Sequence, residues 1–163
     1  TFMRPSRKGL SQGLYLPGMK NDETIDVSVC IDTSGSMSDK MLRDFVGEVK
    51  GIMQQFTDFK LLLWFFDTRV YTLHTFTSEN IDDIDTIKVE GGGGTMFECN
   101  WEFMKEEGIC PEQFVMFTDG YPCGTWGDDF YCDTLFVIHG AKNIEAPFGM
   151  TVHYEHPEGS KDY

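Results

Sequence analysis

Three short polar loops hold five side chains with oxygen donors. Asp32, Ser34 and Ser36 lie in Asp32-Thr33-Ser34-Gly35-Ser36, Thr95 ends Gly91-Gly92-Gly93-Gly94-Thr95, and Asp119 is central in Thr118-Asp119-Gly120. Two carboxylates and three hydroxyls, with no thiol or imidazole required, form a donor set for a hard cation. Ions of the Mg²⁺ type take oxygen ligands in near-octahedral geometry at about 2.0–2.1 Å and retain some waters. Ser34 and Ser36 are two residues apart, so both hydroxyls face one point when the loop curls into a helix. The glycine run admits close backbone approach and positive φ. Taken singly, these residues have plainer uses: serines cap helices and aspartates shape turns. Only the joint pattern points to a metal, and oxygen ligands serve Mg²⁺, Mn²⁺ and Ca²⁺ alike.

The segments between these loops indicate what must position them. Residues 25–31 (Ile-Asp-Val-Ser-Val-Cys-Ile) read as a buried strand ending in the first loop. Residues 38–56 place Leu42, Phe45, Val46, Val49, Ile52, Met53 and Phe56 at helical spacing on one face, with Ser36 or Ser38 available as cap. The near-continuous apolar run 60–66 is short for a buried helix and reads as a central strand covered on both faces. A tight turn at Asp67-Thr68 leads to a second strand over 70–76, and 87–89 reads as a short strand feeding the glycine run. A helix over 96–107 and strands over 114–117, 133–139 and 149–153 follow. Strands alternating with helices imply an α/β fold: a three-layer, doubly wound, mostly parallel sheet with helices on both faces. Ligands in such sheets sit outside the carboxyl ends of the strands, where the three polar loops fall.

Asp32-x-Ser34-x-Ser36, a distant Thr95 and then Asp119 in Thr-Asp-Gly resemble the metal-ion-dependent adhesion site (MIDAS) of von Willebrand factor type A (VWA) domains. The likeness runs from about residue 25 to the last strand. Leu16-Pro17-Gly18, Gly91–Thr95 and Ala146-Pro147-Phe148-Gly149 resemble more closely the VWA-like domain found C-terminal to a putative metallopeptidase in bacterial and phage proteins. The resemblance implies that Ser34, Ser36 and Thr95 touch the metal directly, while Asp32 and Asp119 act partly through waters or hydrogen bonds. Neutral direct ligands leave the cation electron-poor and open to a Glu or Asp carboxylate from a protein partner. It further implies work beside an AAA-type ATPase or a fused metallopeptidase-like domain.

The 163 residues suit one domain, read as an arm or linker over 1–24, a VWA-like domain over 25–157 and a tail over 158–163. With 40% hydrophobic residues, including 14 Phe and 9 Met, the chain can bury a full core without disulfides. Its formal net charge of −14 repels phosphate backbones and anionic membranes, so neither nucleic acid nor a membrane is an expected partner. Five cysteines without tight spacing read as reduced thiols, and the expected location is the cytoplasm.

Other candidates carry less. The glycine run lacks the Gly-Lys-Ser/Thr ending of a phosphate loop, and no His-Glu-x-x-His occurs. His153, Glu155 and His156 read as a solvated tail, and Cys123 and Cys132 as free thiols. Asp67 reads as a turn former or a support for the metal. Tyr121, Trp126 and Phe130 follow the Asp119 loop and form either a partner-contact patch or a lid folded back on the domain. The favoured function is metal-dependent protein binding, without a catalytic residue. The alternative is a phosphatase-like metal hydrolase, with Asp32, Asp67 or Asp119 as base or nucleophile. A scaffold whose metal only ties the three loops together is a plainer third reading.

Overall fold

The computed structural model describes residues 24–34 and 37–154. The expected arm, the expected tail and Ser36 lie outside them, apart from Thr24. In chain order come β1 (Ile25–Asp32), α1 (Asp39–Met53), β2 (Phe59–Phe66), β3 (His74–Thr77) and a 3-10 helix (Ile81–Thr86). After them come α2 (Glu98–Glu107), β4 (Gln113–Thr118), β5 (Thr134–His139) and β6 (Met150–Tyr154). The six strands form one sheet in the order β3-β2-β1-β4-β5-β6. All neighbours are parallel except β2 and β3, which pair antiparallel.

Strand alternation sends side chains to two cores. Val27, Val29, Ile31, Leu61, Leu63, Phe65, Val115 and Phe117 pack toward α1 and the 3-10 helix. Leu62, Trp64, Phe66, Phe114 and Met116 face the opposite layer, with Phe97, Trp101 and Met104 from the α2 segment. This two-sided burial is why β2 reads as an unbroken apolar run. Helix α1 starts where expected because the Ser38 side chain accepts a hydrogen bond from Met41 N (3.2 Å). Its Phe45 stacks on Phe117 with ring centroids 4.0 Å apart, and each such buried ring stabilises the fold by about 1.5–3 kcal/mol. Helix α2 is keyed to β2 by a buried polar contact: Trp64 Nε1 donates to Asn100 Oδ1 at 2.8 Å, and Asn100 Nδ2 donates to Phe97 O at 3.0 Å.

Two expected strands are corrected. Residues 87–89 pair with no strand; Ile87 is buried and Val89 packs on the α1-side core, so their apolar pattern reports burial rather than a ladder. The strand expected over 70–76 is confined to β3. Val70 makes one isolated bridge to Phe66, and Thr72 is drawn toward Glu90, donating through its N (3.1 Å) and Oγ1 (3.2 Å).

From β1 the chain moves outward to β2, then returns to place β4 on the other side of β1. The order therefore reverses between β1 and β4, and their carboxyl ends bound the crevice where open α/β sheets bind ligands. Asp32 ends one of these strands and Thr118 the other.

Candidate metal centre

Asp32 is fully buried at the end of β1. Its Oδ1 accepts from Ser34 N at 2.8 Å, and its Oδ2 accepts from Thr118 Oγ1 at 2.7 Å. Thr118 Oγ1 in turn accepts from Gly120 N at 3.1 Å, which sets the turn carrying Asp119. Two of the three loops are thus joined through the Asp32 carboxylate and the Thr118 hydroxyl. Burial pushes the Asp32 carboxyl above the ordinary aspartate range, the bonds from Thr118 and Ser34 oppose this, and the half-buried Asp119 nearby adds to the rise.

The glycine run is held from β2. Asp67 follows that strand, and its Oδ2 accepts from Gly93 N and from the Tyr71 hydroxyl, both at 3.0 Å. Its Oδ1 accepts from the backbone N–H groups of Thr68 and Arg69. Met96 N donates to Asp67 O at 2.9 Å. Burial alone would raise the Asp67 carboxyl, but donors from Gly93, Tyr71, Arg69 and Thr68 together bring it below the usual value. Thr33, donating through both N and Oγ1 to Phe66 O, abuts Gly91. Gly91 has φ +107°, and a side chain there would run into the Thr33 hydroxyl. The glycine run is therefore positioned by Asp67 and Thr33 and does not leave a strand end as its sequence suggests.

The third link is a strap running back from the Asp119 loop over α2. Cys123 N donates to Thr95 O at 2.9 Å, and Thr125 N donates to Glu98 Oε2 at 3.3 Å. Trp126 lies edge-on to Phe97 and Phe136, 5.3 Å from each ring centroid. Gly127 is flush against the Trp101 ring, with no room for a Cβ. The three aromatics grouped in the sequence thus separate. Trp126 folds onto the domain, Tyr121 is exposed beside the Asp119 loop, and Phe130 is 93% exposed at the other end of α2, near the Lys105–Asp128 ion pair. Lys105 lies seven residues beyond Glu98, about 10 Å along the helix axis, so Phe130 does not join Tyr121 in one patch.

Asp32, Ser34 and Thr95 are buried and Asp119 is half-buried; Ser36 lies outside the described residues. Two features fit a hard cation among these groups. The Ser34 hydroxyl is buried beside the Asp32 carboxylate, whose charge it favours, and makes no well-aligned hydrogen bond among the described residues, so the oxygen is available to a ligand. Burial and, to a smaller extent, the Asp119 carboxylate disfavour the charge on Asp32, which a cation beside it would offset. Among the described residues no three His, Cys, Asp or Glu side chains cluster to hold a metal without hydroxyls. His153 is in β6 rather than a solvated tail, its Nε2 2.8 Å from Ile144 O; Glu155 and His156 lie outside the described residues. Cys123 and Cys132 are free thiols, and burial pushes Cys132 up to about 11.

Sequence reasoning passed over Thr118 and Thr33 as site-building residues. The signal for Thr118 was its place at the last position of a buried strand, immediately before Asp119.

The doubly wound sheet, with oxygen-bearing loops at its β1/β4 switch point, defines the class. Residues 27–155 match the family described as VWA-like domain (DUF2201), and the chain belongs to that family. It is 29% identical over 121 residues to an uncharacterised protein of Thermotoga maritima, a match covering 74% of this chain and 28% of that protein. The fold is also similar to the crystal structure of the ArnB paralog VWA2 from Sulfolobus acidocaldarius, with a TM-score of 0.50 and 12% identity over 78% of this chain and 37% of that one. At that identity the likeness is one of fold.

Proposed function

We propose that the chain is a divalent-cation-dependent protein-binding module. Asp32, Ser34, Ser36, Thr95 and Asp119 hold Mg²⁺, or Mn²⁺ or Ca²⁺ in its place, and the cation accepts a Glu or Asp carboxylate from a protein partner. VWA-like domains often mediate protein interactions, which supports the binding half of this reading. The observation that carries the metal half is the buried Ser34 hydroxyl, without a well-aligned hydrogen bond among the described residues, next to a buried carboxylate whose charge a second carboxylate disfavours.

The hydrolase reading gains no specific support. It calls for a base or nucleophile with free lone pairs beside the metal. Asp67 spends its carboxylate on four donors, and Asp32 spends both oxygens on Ser34 N and Thr118. Tyr121, exposed beside the Asp119 loop, supplies apolar contact to the partner; Trp126 supports the loop from below, and Phe130 is outside the contact. The chain spans 28% of the length of its Thermotoga maritima relative, in keeping with a module of a larger multidomain protein. We place it in the cytoplasm, working with an AAA-type ATPase or a fused metallopeptidase-like domain. No helix among the described residues is long and apolar enough to cross a membrane.

The test is capture of partners by the immobilised chain with Mg²⁺ or with EDTA, followed by mass spectrometry. Partners held in Mg²⁺, released by EDTA and missing from Asp32→Asn are expected. Partners retained at full yield by both EDTA-treated and Asp32→Asn protein would refute metal-dependent docking. Sustained phosphoester turnover in Mg²⁺, lost in Asp32→Asn, would put the hydrolase first.

A further inference from the structure

Arg69 sits in the turn after β2, on the glycine-run side of the candidate metal centre. Its guanidinium lies over the Tyr71 ring, 3.9 Å from the centroid. The Tyr71 hydroxyl is fixed by Asp67 at 3.0 Å, and the same Asp67 oxygen holds Gly93 N. A continuous relay therefore ties the orientation of this cation to the loop that ends in Thr95. Arg69 is exposed and, although the chain carries a net charge of −14, makes no ion pair with a described acidic group. Lys40, Lys50 and Lys105 are each paired with aspartate. Part of the guanidinium engages the Tyr71 hydroxyl, and its remaining edge keeps an N–H fork of the geometry that takes a carboxylate by two bonds. Because the ring is itself held, little ordering cost falls on binding.

We propose that Arg69 is a second anion anchor beside the cation site, so that the partner docks through two acidic side chains: one on the cation, one on the Arg69 guanidinium. This rests on the cation reading above. The occupant is an acidic segment of a protein, chosen by charge complementarity: the open position on the cation and the guanidinium each take a carboxylate on an otherwise strongly acidic surface. Spacing follows from the backbone. Asp67 O bonds Met96 N at 2.9 Å, which places the Arg69 and Thr95 backbones on the order of 10 Å apart, or about three residues of extended chain. The ligand class is therefore a short extended segment with two acidic residues a few positions apart, and a spacing of three is the one tested.

The test uses fluorescein-labelled Gly/Ser peptides, one with a single Glu and one with a second Glu three positions further on. Binding is followed by fluorescence anisotropy in Mn²⁺, while calorimetry follows Mn²⁺ alone. The wild-type chain is expected to favour the two-acid peptide by about tenfold. Arg69→Ala is expected to erase that preference while leaving Mn²⁺ affinity and single-Glu binding unchanged. Arg69→Lys keeps the stem and the charge but loses the fork, and is expected to lose most of the preference. Full preference in both variants, with Mn²⁺ still bound, overturns the Arg69 anchor and leaves the cation reading intact. Absence of Mn²⁺ binding by the wild-type chain removes both.

Discussion

Two aspartates stand at the same edge of neighbouring parallel strands and do different work. Asp32 closes β1 and Asp67 follows β2, whose last residue, Phe66, is in register with Asp32. Asp67 receives four donors and titrates below the usual range. Asp32 accepts from Ser34 and Thr118, is buried next to a second carboxylate, and titrates above it. An ionised carboxylate has about four lone-pair sites. Asp67 has committed all of them to exposed-loop and backbone donors, whereas each Asp32 oxygen accepts from a neighbour inside a buried corner where burial still raises the carboxyl. A buried carboxyl raised next to like charge marks a candidate site, and a carboxylate saturated with donors marks a structural one.

The largest expected effect is at Asp67. Asp67→Ala strands the Gly93, Arg69, Thr68 and Tyr71 donors, and urea denaturation is expected to show a loss of about 3 kcal/mol. A loss below about 1 kcal/mol would erase the contrast from one side. Next is Asp32→Asn, which preserves shape and can still accept from Thr118. Mn²⁺ affinity is expected to fall about 100-fold. Without divalent ions the variant should be as stable as wild type at pH 7, or more so, because the neutral amide avoids the penalty on a buried charge. Marked destabilisation there would make Asp32 a second Asp67. Gly91→Ala forces an alanine into positive φ against Thr33, with an expected loss of about 2 kcal/mol measured by thermal melts.

The pH dependence sharpens the contrast further. A carboxyl lowered in the fold contributes stability above its unfolded value, near 3.8, that is lost as pH falls through the folded value. The gap between wild type and Asp67→Asn should therefore be full at pH 7 and shrink below about pH 4. Asp32, raised in the fold, has the opposite sign: any advantage of Asp32→Asn without metal should fade as the pH drops through the raised value and wild-type Asp32 becomes neutral. Melts across pH in EDTA read both. The smallest expected effect is at the surface: Tyr121→Ser weakens partner binding several-fold, and Phe130→Ser leaves it within about twofold.

Much of this was legible in the sequence for physical reasons that particular residues show. Helix α1 declares itself through Leu42, Phe45, Val46 and Val49 on one face and Ser38 at its cap, since local spacing alone determines both. Strand β2 is legible because a strand covered on two faces must be apolar throughout. Asp32, Ser34, Thr95 and Asp119 were legible as oxygen donors at loop positions. What was hidden depends on distant partners. Ile87 and Val89 are apolar because they cover the core, and nothing local separates that from strand pairing. The saturation of Asp67 relies on Gly93, 26 residues later. The separation of Tyr121 from Phe130 follows from a strap that traverses α2 because Trp126 fits between Phe97 and Phe136, a contact visible only in three dimensions.

Isothermal titration of Mn²⁺ into wild type, Asp32→Asn and Asp67→Asn at pH 7 separates the two corners in one experiment. One ion bound per wild-type chain, binding weakened about 100-fold in Asp32→Asn, and Asp67→Asn affected only as far as its fold is loosened, is the result predicted. No saturable Mn²⁺ binding by wild type, or undiminished binding by Asp32→Asn, would contradict it.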